Sequence, residues 1–218
     1  MKYIFLLLLF CVFYCEKHTE EKIIENSTHT KSSPKTILFF GDSLTAGMGL
    51  DSQEDSFVGI IQKKLDKEDF RYIAINSGLS GDTTSGGISR LDWALSKKPD
   101  IFVLELGAND SMRGISPSQI KSNLIQIIQM VKRRYPDCKI LLLGMKTFPN
   151  LGPIYARKFE KIFPEIQIEE NIILVPFLLE KIAGENSLNQ LDGIHPTEEG
   201  HKIMADTVYK YLRPMLKR

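Results

Sequence analysis

From Thr36 onward, short continuous apolar runs alternate with longer stretches whose apolar residues recur every three or four positions. The runs are Thr36–Phe40, Tyr72–Ile75, Ile101–Leu106, Lys139–Met145 and Ile172–Val175. Runs of this length and character predict strands buried on both faces. Between them, Phe57, Ile60, Ile61 and Leu65 share one helical face, as do Ile88, Leu91 and Leu95, whose helix should end near Lys97-Lys98-Pro99. Ser116-Pro117 marks the clearest helix start. Ser116 can cap, Pro117 fits the first helical position, and Gln119 can complete a capping box. The inward face of that helix is Ile120, Leu124, Ile127, Ile128 and Val131, and Lys132-Arg133-Arg134 suits the negative end of its dipole. Thr197–Leu212 is the last helix, with Ile203, Met204, Val208, Tyr211 and Leu212 inward. Strands that alternate with helices in this way predict an α/β fold, a parallel sheet covered by helices, whose ligands bind at the carboxyl ends of the strands.

The N-terminus breaks this pattern. Lys2 precedes a dense apolar run, Tyr3–Tyr14, which is too short to span a bilayer comfortably but has the length of the apolar part of a signal peptide. Cys15 ends the run, where a bacterial lipoprotein carries its lipid-accepting cysteine, although Val12-Phe13-Tyr14 lacks the small residues such a site usually shows. Residues 16–35 are polar and rich in Lys, Glu, Thr and Ser, the composition of a tether. The expected organisation is a leader at 1–15, a tether at 16–35 and one folded domain at 36–218. The expected location is outside the cytoplasm, periplasmic or membrane-anchored through a lipid on Cys15.

Composition narrows the partners. The net charge of +1 creates no field that would draw nucleic acid or an anionic membrane to the folded domain. Without the leader, Cys138 and Cys15 are the only cysteines left, so no internal disulfide framework is expected; Cys138, just before an apolar run, reads as a small core residue.

Polar motifs sit at the ends of the predicted strands. Gly41-Asp42-Ser43-Leu44 follows the first, Ser80-Gly81-Asp82-Thr83 the second and Gly107-Ala108-Asn109-Asp110 the third; Asp192-Gly193-Ile194-His195 lies near the C-terminus. A serine hydroxyl is a poor nucleophile until a base takes its proton. Of the four histidines, His18 and His29 fall in the tether and His201 in the last helix, which leaves His195 as the base by elimination. Asp192 lies close enough to accept the imidazole N–H and fix its tautomer. Gly81 can offer an unobstructed backbone N–H, and the Asn109 amide a donor that does not titrate, to a developing oxyanion. Each residue alone has a plainer reading: serine as a helix cap, glycine as a turn, asparagine as an Asx turn, histidine as a packing or surface residue. The combination at strand ends weakens those readings. Asp42, Asp82 and Asp110 read first as groups that bond nearby backbone N–H or cap helices. No His/Asp/Glu cluster has metal-ligand spacing, and neither GxxxxGK[ST] nor GxGxxG is present.

On these motifs the chain resembles the SGNH, or GDSL, hydrolases, and within them the TesA-like thioesterase/lysophospholipase/arylesterase group. Ser43 stands in GDSLTAG, Gly81 in SGDT, Asn109 in GAND and His195 in DGIHP, in the family's order, and the likeness runs from about Thr36 to Pro214. The resemblance implies a flavodoxin-like sheet of five parallel strands between helices. It implies Ser43 as nucleophile, His195 as base, Asp192 as the orienting acid, and an oxyanion hole of the Ser43 and Gly81 N–H groups and the Asn109 side chain. It implies no metal or organic cofactor, and hydrolysis of acyl esters or thioesters through an acyl-enzyme. Phe148–Tyr155 is more apolar than the corresponding groove-bordering loop of that group. Leu151 and Ile154, with Leu44 and Ile194, are therefore the candidate contacts to an acyl chain. An O-acetyl esterase acting on glycan or peptidoglycan would use the same catalytic residues, and a non-catalytic binding module on the same scaffold would need none of them.

Overall fold

The structure, a computed structural model, describes residues 33–147 and 149–218. The leader, Cys15 and residues 16–32 of the tether lie outside the described residues, as does Phe148. Five parallel strands form one sheet: β1 (Lys35–Gly41), β2 (Tyr72–Gly78), β3 (Ile101–Glu105), β4 (Lys139–Leu143) and β5 (Ile173–Val175). β1, β3 and β4 follow continuous apolar runs because a strand covered on both sides has no solvent face to alternate with, whereas the edge strands β2 and β5, also expected to be buried on both faces, leave Ile73 and Ile173 exposed. β3 is buried throughout, and the β1 residues Ile37–Gly41 are buried too.

The strand order is β2-β1-β3-β4-β5, the flavodoxin-like order. From β1 the chain first steps one way, to β2, then returns across β1 and continues the other way to β3, β4 and β5. Right-handed crossovers place α2 (Phe57–Lys67) on one face and α3 (Thr84–Ala94), α5 (Pro117–Arg134) and α6 (Pro153–Glu170) on the opposite face. α7 (Glu198–Leu212) packs beside α2, while α3, α5 and α6 lie side by side. Two short helices complete the frame: α1 (Ser43–Ala46) directly after β1 and α4 (Ala108–Met112) after β3. The reversal of direction between β1 and β3 opens a crevice at their carboxyl ends, and both short helices start there.

The helix expectations hold with two adjustments. Ser116 Oγ caps α5 by accepting from Gln119 N–H, but no capping box forms, because the Gln119 side chain donates to Asn123 Oδ1 at 2.8 Å instead. In α7 the buried tyrosine is Tyr209; Tyr211 is only half-buried. His201 turns inward as well. Its Nδ1 accepts from Phe57 N–H at 3.1 Å at the start of α2, and its ring stacks on Phe57. α6 is an 18-residue helix in a segment where the pattern reading places no element. It contains Pro164, which cannot donate to the Glu160 carbonyl one turn back and is left on the exposed side. Phe159, Ile162, Phe163 and Ile166 form its buried face. Cys138 is buried, and burial pushes its thiol up to about 12, which makes it an inert packing group.

Candidate active site

Gly41 is the last residue of β1 and pairs with Glu105, the last of β3. Its φ is not positive, so its role is space rather than backbone conformation. A Cβ at this position would run into Thr45 Oγ1 and the Glu105 carboxyl. Asp42 follows and caps α1: its Oδ1 accepts from Leu44 N–H at 3.0 Å. Ser43 is thereby fixed as the first helical residue, where its own N–H has no intrahelical partner.

The second motif is built by a tight loop. Asn189 and Pro196 bridge in antiparallel fashion, Gln190 N–H donates to the His195 carbonyl at 2.8 Å, and Gly193 takes up a φ of +69° at the turn. Asp192 Oδ1 accepts from the backbone N–H groups of Ile194 (2.9 Å) and His195 (3.0 Å). Its Oδ2 lies 2.6 Å from His195 Nδ1, and His195 Nε2 lies 2.9 Å from Ser43 Oγ. The His195 ring and the two backbone N–H groups hold the Asp192 carboxyl down at about 2. An ionised Asp192 requires Nδ1 to carry the ring proton, which leaves Nε2 as the acceptor for the Ser43 hydroxyl.

Gly81 lies in the loop after β2 with φ +79°, and among the described residues its N–H has no partner. Arg113 Nη2 donates to the Gly81 carbonyl at 3.0 Å and so fixes the plane of that peptide. Asn109 sits in the first turn of α4. Its Nδ2 donates one hydrogen to Asp42 Oδ2 at 3.0 Å, which identifies the nitrogen end of the amide and leaves the second hydrogen for another acceptor. Ser43, Gly81 and Asn109 all line one cavity together with His195.

That cavity has a volume of about 860 Å³ and lies along the carboxyl ends of the strands. Leu44, Met48, Met112, Met145, Phe177, Leu179 and Ile194 supply most of its apolar wall. Leu44 and Ile194 thus stand where the sequence places them. Leu151 and Ile154 do not line it. The chain turns at Gly152 (φ +80°) into α6, and Ile154, in the first turn of that helix, is 64% exposed. Its neighbour Tyr155 packs inward instead, stacking on Phe159. Met145, Phe177 and Leu179 come from the stretches directly after β4 and β5, where the sequence carries no motif.

Two further groups escaped the sequence reading. Arg90 on α3 donates to Asp82 Oδ2 (2.6 Å) and to the carbonyls of Ser77 (2.9 Å) and Gly41 (2.9 Å), with its guanidinium over the Phe40 ring. It ties the ends of β1 and β2 to the Gly81 loop. Glu105 is fully buried behind Asp42. Its Oε2 accepts from Asp42 N–H (3.1 Å) and Thr45 Oγ1 (2.9 Å). Burial, and then the neighbouring Asp42 carboxyl, push Glu105 well above the usual carboxylate range; burial likewise pushes Asp42 up to about 6. The remaining aspartate is structural: Asp110 accepts from Thr84 N–H (2.8 Å) and Thr84 Oγ1 (2.6 Å), holding the start of α3. Among the described residues no group of three His, Cys, Asp or Glu side chains could hold a metal.

Residues 39–203 match the GDSL-like lipase/acylhydrolase family. The chain belongs to that family. It is 38% identical to Esterase TesA of Pseudomonas aeruginosa over 85% of this chain and 92% of that protein. It is 32% identical to the Escherichia coli protein named thioesterase 1/protease 1/lysophospholipase L1, over 87% of this chain and 88% of the relative. A solved crystal structure of TesA superposes with a TM-score of 0.79 at 38% identity, covering 84% of this chain and all of that one. As a member of this family, the chain is a carboxylic ester hydrolase with the SGNH fold.

Proposed function

We propose that the chain hydrolyses acyl esters through an acyl-enzyme on Ser43, with His195 as general base and acid and Asp192 as the group that orients it. The observation that carries this reading is the unbroken line from Asp192 Oδ2 through His195 to Ser43 Oγ, 2.6 Å and then 2.9 Å, opening into an apolar cavity. Ser43 Oγ attacks the acyl carbonyl as its proton passes to His195 Nε2. The ionised Asp192 stabilises the imidazolium that forms. The carbonyl oxygen, now negative, takes hydrogen bonds from the Ser43 and Gly81 N–H groups and the free hydrogen of Asn109 Nδ2. His195 then gives its proton to the leaving oxygen or sulfur, the tetrahedral adduct collapses to the acyl-enzyme, and a water activated by His195 releases the acid.

The cavity supports medium or long acyl chains over acetate, since about 860 Å³ of mostly apolar space is far more than an acetyl group fills. Lysophospholipids, aryl esters and acyl thioesters are the substrate classes in keeping with the names of the relatives, an arylesterase of Vibrio mimicus among them. The leader that ends at Cys15 supports export and lipid anchoring, which would favour lysophospholipid over cytoplasmic thioesters. Loss of palmitate labelling in Cys15→Ser cells tests the anchor.

The decisive assay is hydrolysis of p-nitrophenyl esters from acetyl to palmitoyl by the full chain, with Ser43→Ala alongside. The serine variant should lose at least about three orders of magnitude in kcat/KM on every ester. Near wild-type turnover by Ser43→Ala would overturn the mechanism; activity confined to acetate would move the substrate to acetylated glycan.

A further inference from the structure

Behind the cavity, Asp42 and Glu105 form a pair of buried carboxyl groups that the reaction does not consume. Asp42 is 1% exposed and Glu105 1% exposed. Glu105 Oε2 accepts from the Asp42 backbone N–H at 3.1 Å, so the Glu105 carboxyl lies directly behind Asp42, and the Asp42 charge disfavours a second charge there. Two carboxylates so placed, shielded from water, cannot both be ionised, so the pair holds one proton at neutral pH.

The surroundings decide which of the two keeps it. Asp42 uses both oxygens as acceptors, Oδ1 from Leu44 N–H and Oδ2 from Asn109 Nδ2, and these bonds favour its ionised form. Glu105 accepts only on Oε2, from Asp42 N–H and Thr45 Oγ1. Its Oε1 is buried and has no partner among the described residues if it is a bare carboxylate oxygen. A proton on Oε1 removes most of that deficit, because a neutral acid costs far less in a dry site than a bare charge. The Arg90 guanidinium, which also reaches this strand end, gives its hydrogen bonds to Asp82, Ser77 and Gly41 and offers none to Glu105. Gly41 leaves the room in which the Glu105 carboxyl sits.

We propose that Glu105 is a neutral carboxylic acid at working pH and acts as a positioning residue, holding the Asp42 carboxylate so that it locks the Asn109 amide toward the substrate oxyanion. The path is short: Glu105 holds the Asp42 backbone N–H and Thr45 Oγ1 on either side of Ser43, Asp42 takes one hydrogen of the Asn109 amide, and the other hydrogen remains for the oxyanion. This inference rests on the oxyanion role given to Asn109 above. Because the oxyanion exists only past the ground state, disturbing Glu105 should lower kcat and leave KM nearly unchanged.

Glutamine reproduces the protonated acid: its amide oxygen accepts from Asp42 N–H and Thr45 Oγ1, and it carries no charge. Glu105→Ala should lose about tenfold to a hundredfold in kcat, and Glu105→Gln should restore most of that loss. In an Asn109→Ala background, Glu105→Ala should cost less than about threefold, because the group it positions is gone. Should Glu105→Ala not fold, Glu105→Leu repeats the cycle. An infrared difference spectrum of wild type against Glu105→Gln at pH 8 needs neither variant, and should show the carbonyl stretch of a protonated carboxylic acid in the wild type only. Additive losses in the cycle, an absent infrared band, or a glutamine variant as slow as alanine would each overturn the proposal. Full activity of Asn109→Ala alone would instead overturn the oxyanion assignment, and the infrared result would still stand by itself.

Discussion

Asp192 works from an exposed position, with its side chain 43% accessible against 14% for His195. Its hold on the ring therefore comes from geometry more than from a dry setting. Two backbone N–H groups fix one carboxylate oxygen and so aim the other at Nδ1. Asp192→Asn keeps the shape but can donate to Nδ1, which moves the ring proton to Nε2 and removes the base. A fall in kcat of about three to four orders of magnitude is the expected outcome, with the Ser43–His195 distance unchanged in a crystal structure of the variant. A loss under tenfold would mean that the tautomer is set by something other than Asp192. At this scale the sequence was informative wherever chemistry comes as a motif. Ser43, Gly81 and Asn109 are legible because each stands just past a strand beside glycine or another polar residue, and Asp192 and His195 because they share a compact polar motif before the last helix. Arg90 and Glu105 have no role in that reading, for different reasons. Arg90 lies next to Leu91 on a helix, where a cation normally means a solvated face. Glu105 did leave a signal, a lone carboxylate inside the apolar run Ile101–Leu106 of a strand covered on both sides, since a charge there must be paired or neutralised.

Between elements, the contact of α7 with α2 carries a titratable group. His201 Nδ1 must be unprotonated to accept from Phe57 N–H, and burial holds the ring down at about 4 against the ordinary 6.5. The folded form thus binds the proton less readily than the unfolded chain. The stability this gives is fully present above pH 6.5 and is lost as pH falls toward 4, by about 3 kcal/mol in all. Asp42 titrates in the same window with the opposite sign, because its folded value is raised to about 6. The wild-type curve alone therefore does not isolate His201, but its difference from His201→Asn does. Asparagine keeps an acceptor near Nδ1 and does not titrate, so the wild type should lose its advantage between pH 6.5 and 4 in urea denaturation; parallel pH profiles would refute the assignment. The elements themselves were largely legible, because a period near two-sided burial or near 3.6 residues shows directly in the apolar positions. α6 was hidden by Pro164, which ordinarily ends a helix. Here the helix runs through it because Phe159, Ile162, Phe163 and Ile166 bury a face that outweighs one missing hydrogen bond.

For the molecule as a whole, the order β2-β1-β3-β4-β5 determines what the cavity is made of. The motifs after β1 and β3 are neighbours at the reversal of the sheet, and this could be anticipated from the doubly wound pattern. The rest of the apolar wall beyond Leu44 and Ile194 could not, because Met145, Phe177 and Leu179 carry no chemical signature and come to the site only through the positions of β4 and β5 in that order. The same order gives the cavity a direction. β5 is three strands from β1, roughly 14 Å at the usual strand spacing. Ser43, just past β1, and Leu179, four residues past β5, both line the cavity, so an acyl chain laid along the strand ends from Ser43 would reach Leu179 with its far part. Leu179→Trp should fill that far end without reaching the reacting carbonyl. Its kcat/KM should fall at least about tenfold on decanoyl and longer p-nitrophenyl esters and change less than about threefold on acetate, shifting the optimum toward short chains. An equal loss on acetate would place Leu179 against the reacting groups, and an unchanged chain-length profile would mean that acyl chains leave Ser43 by another route.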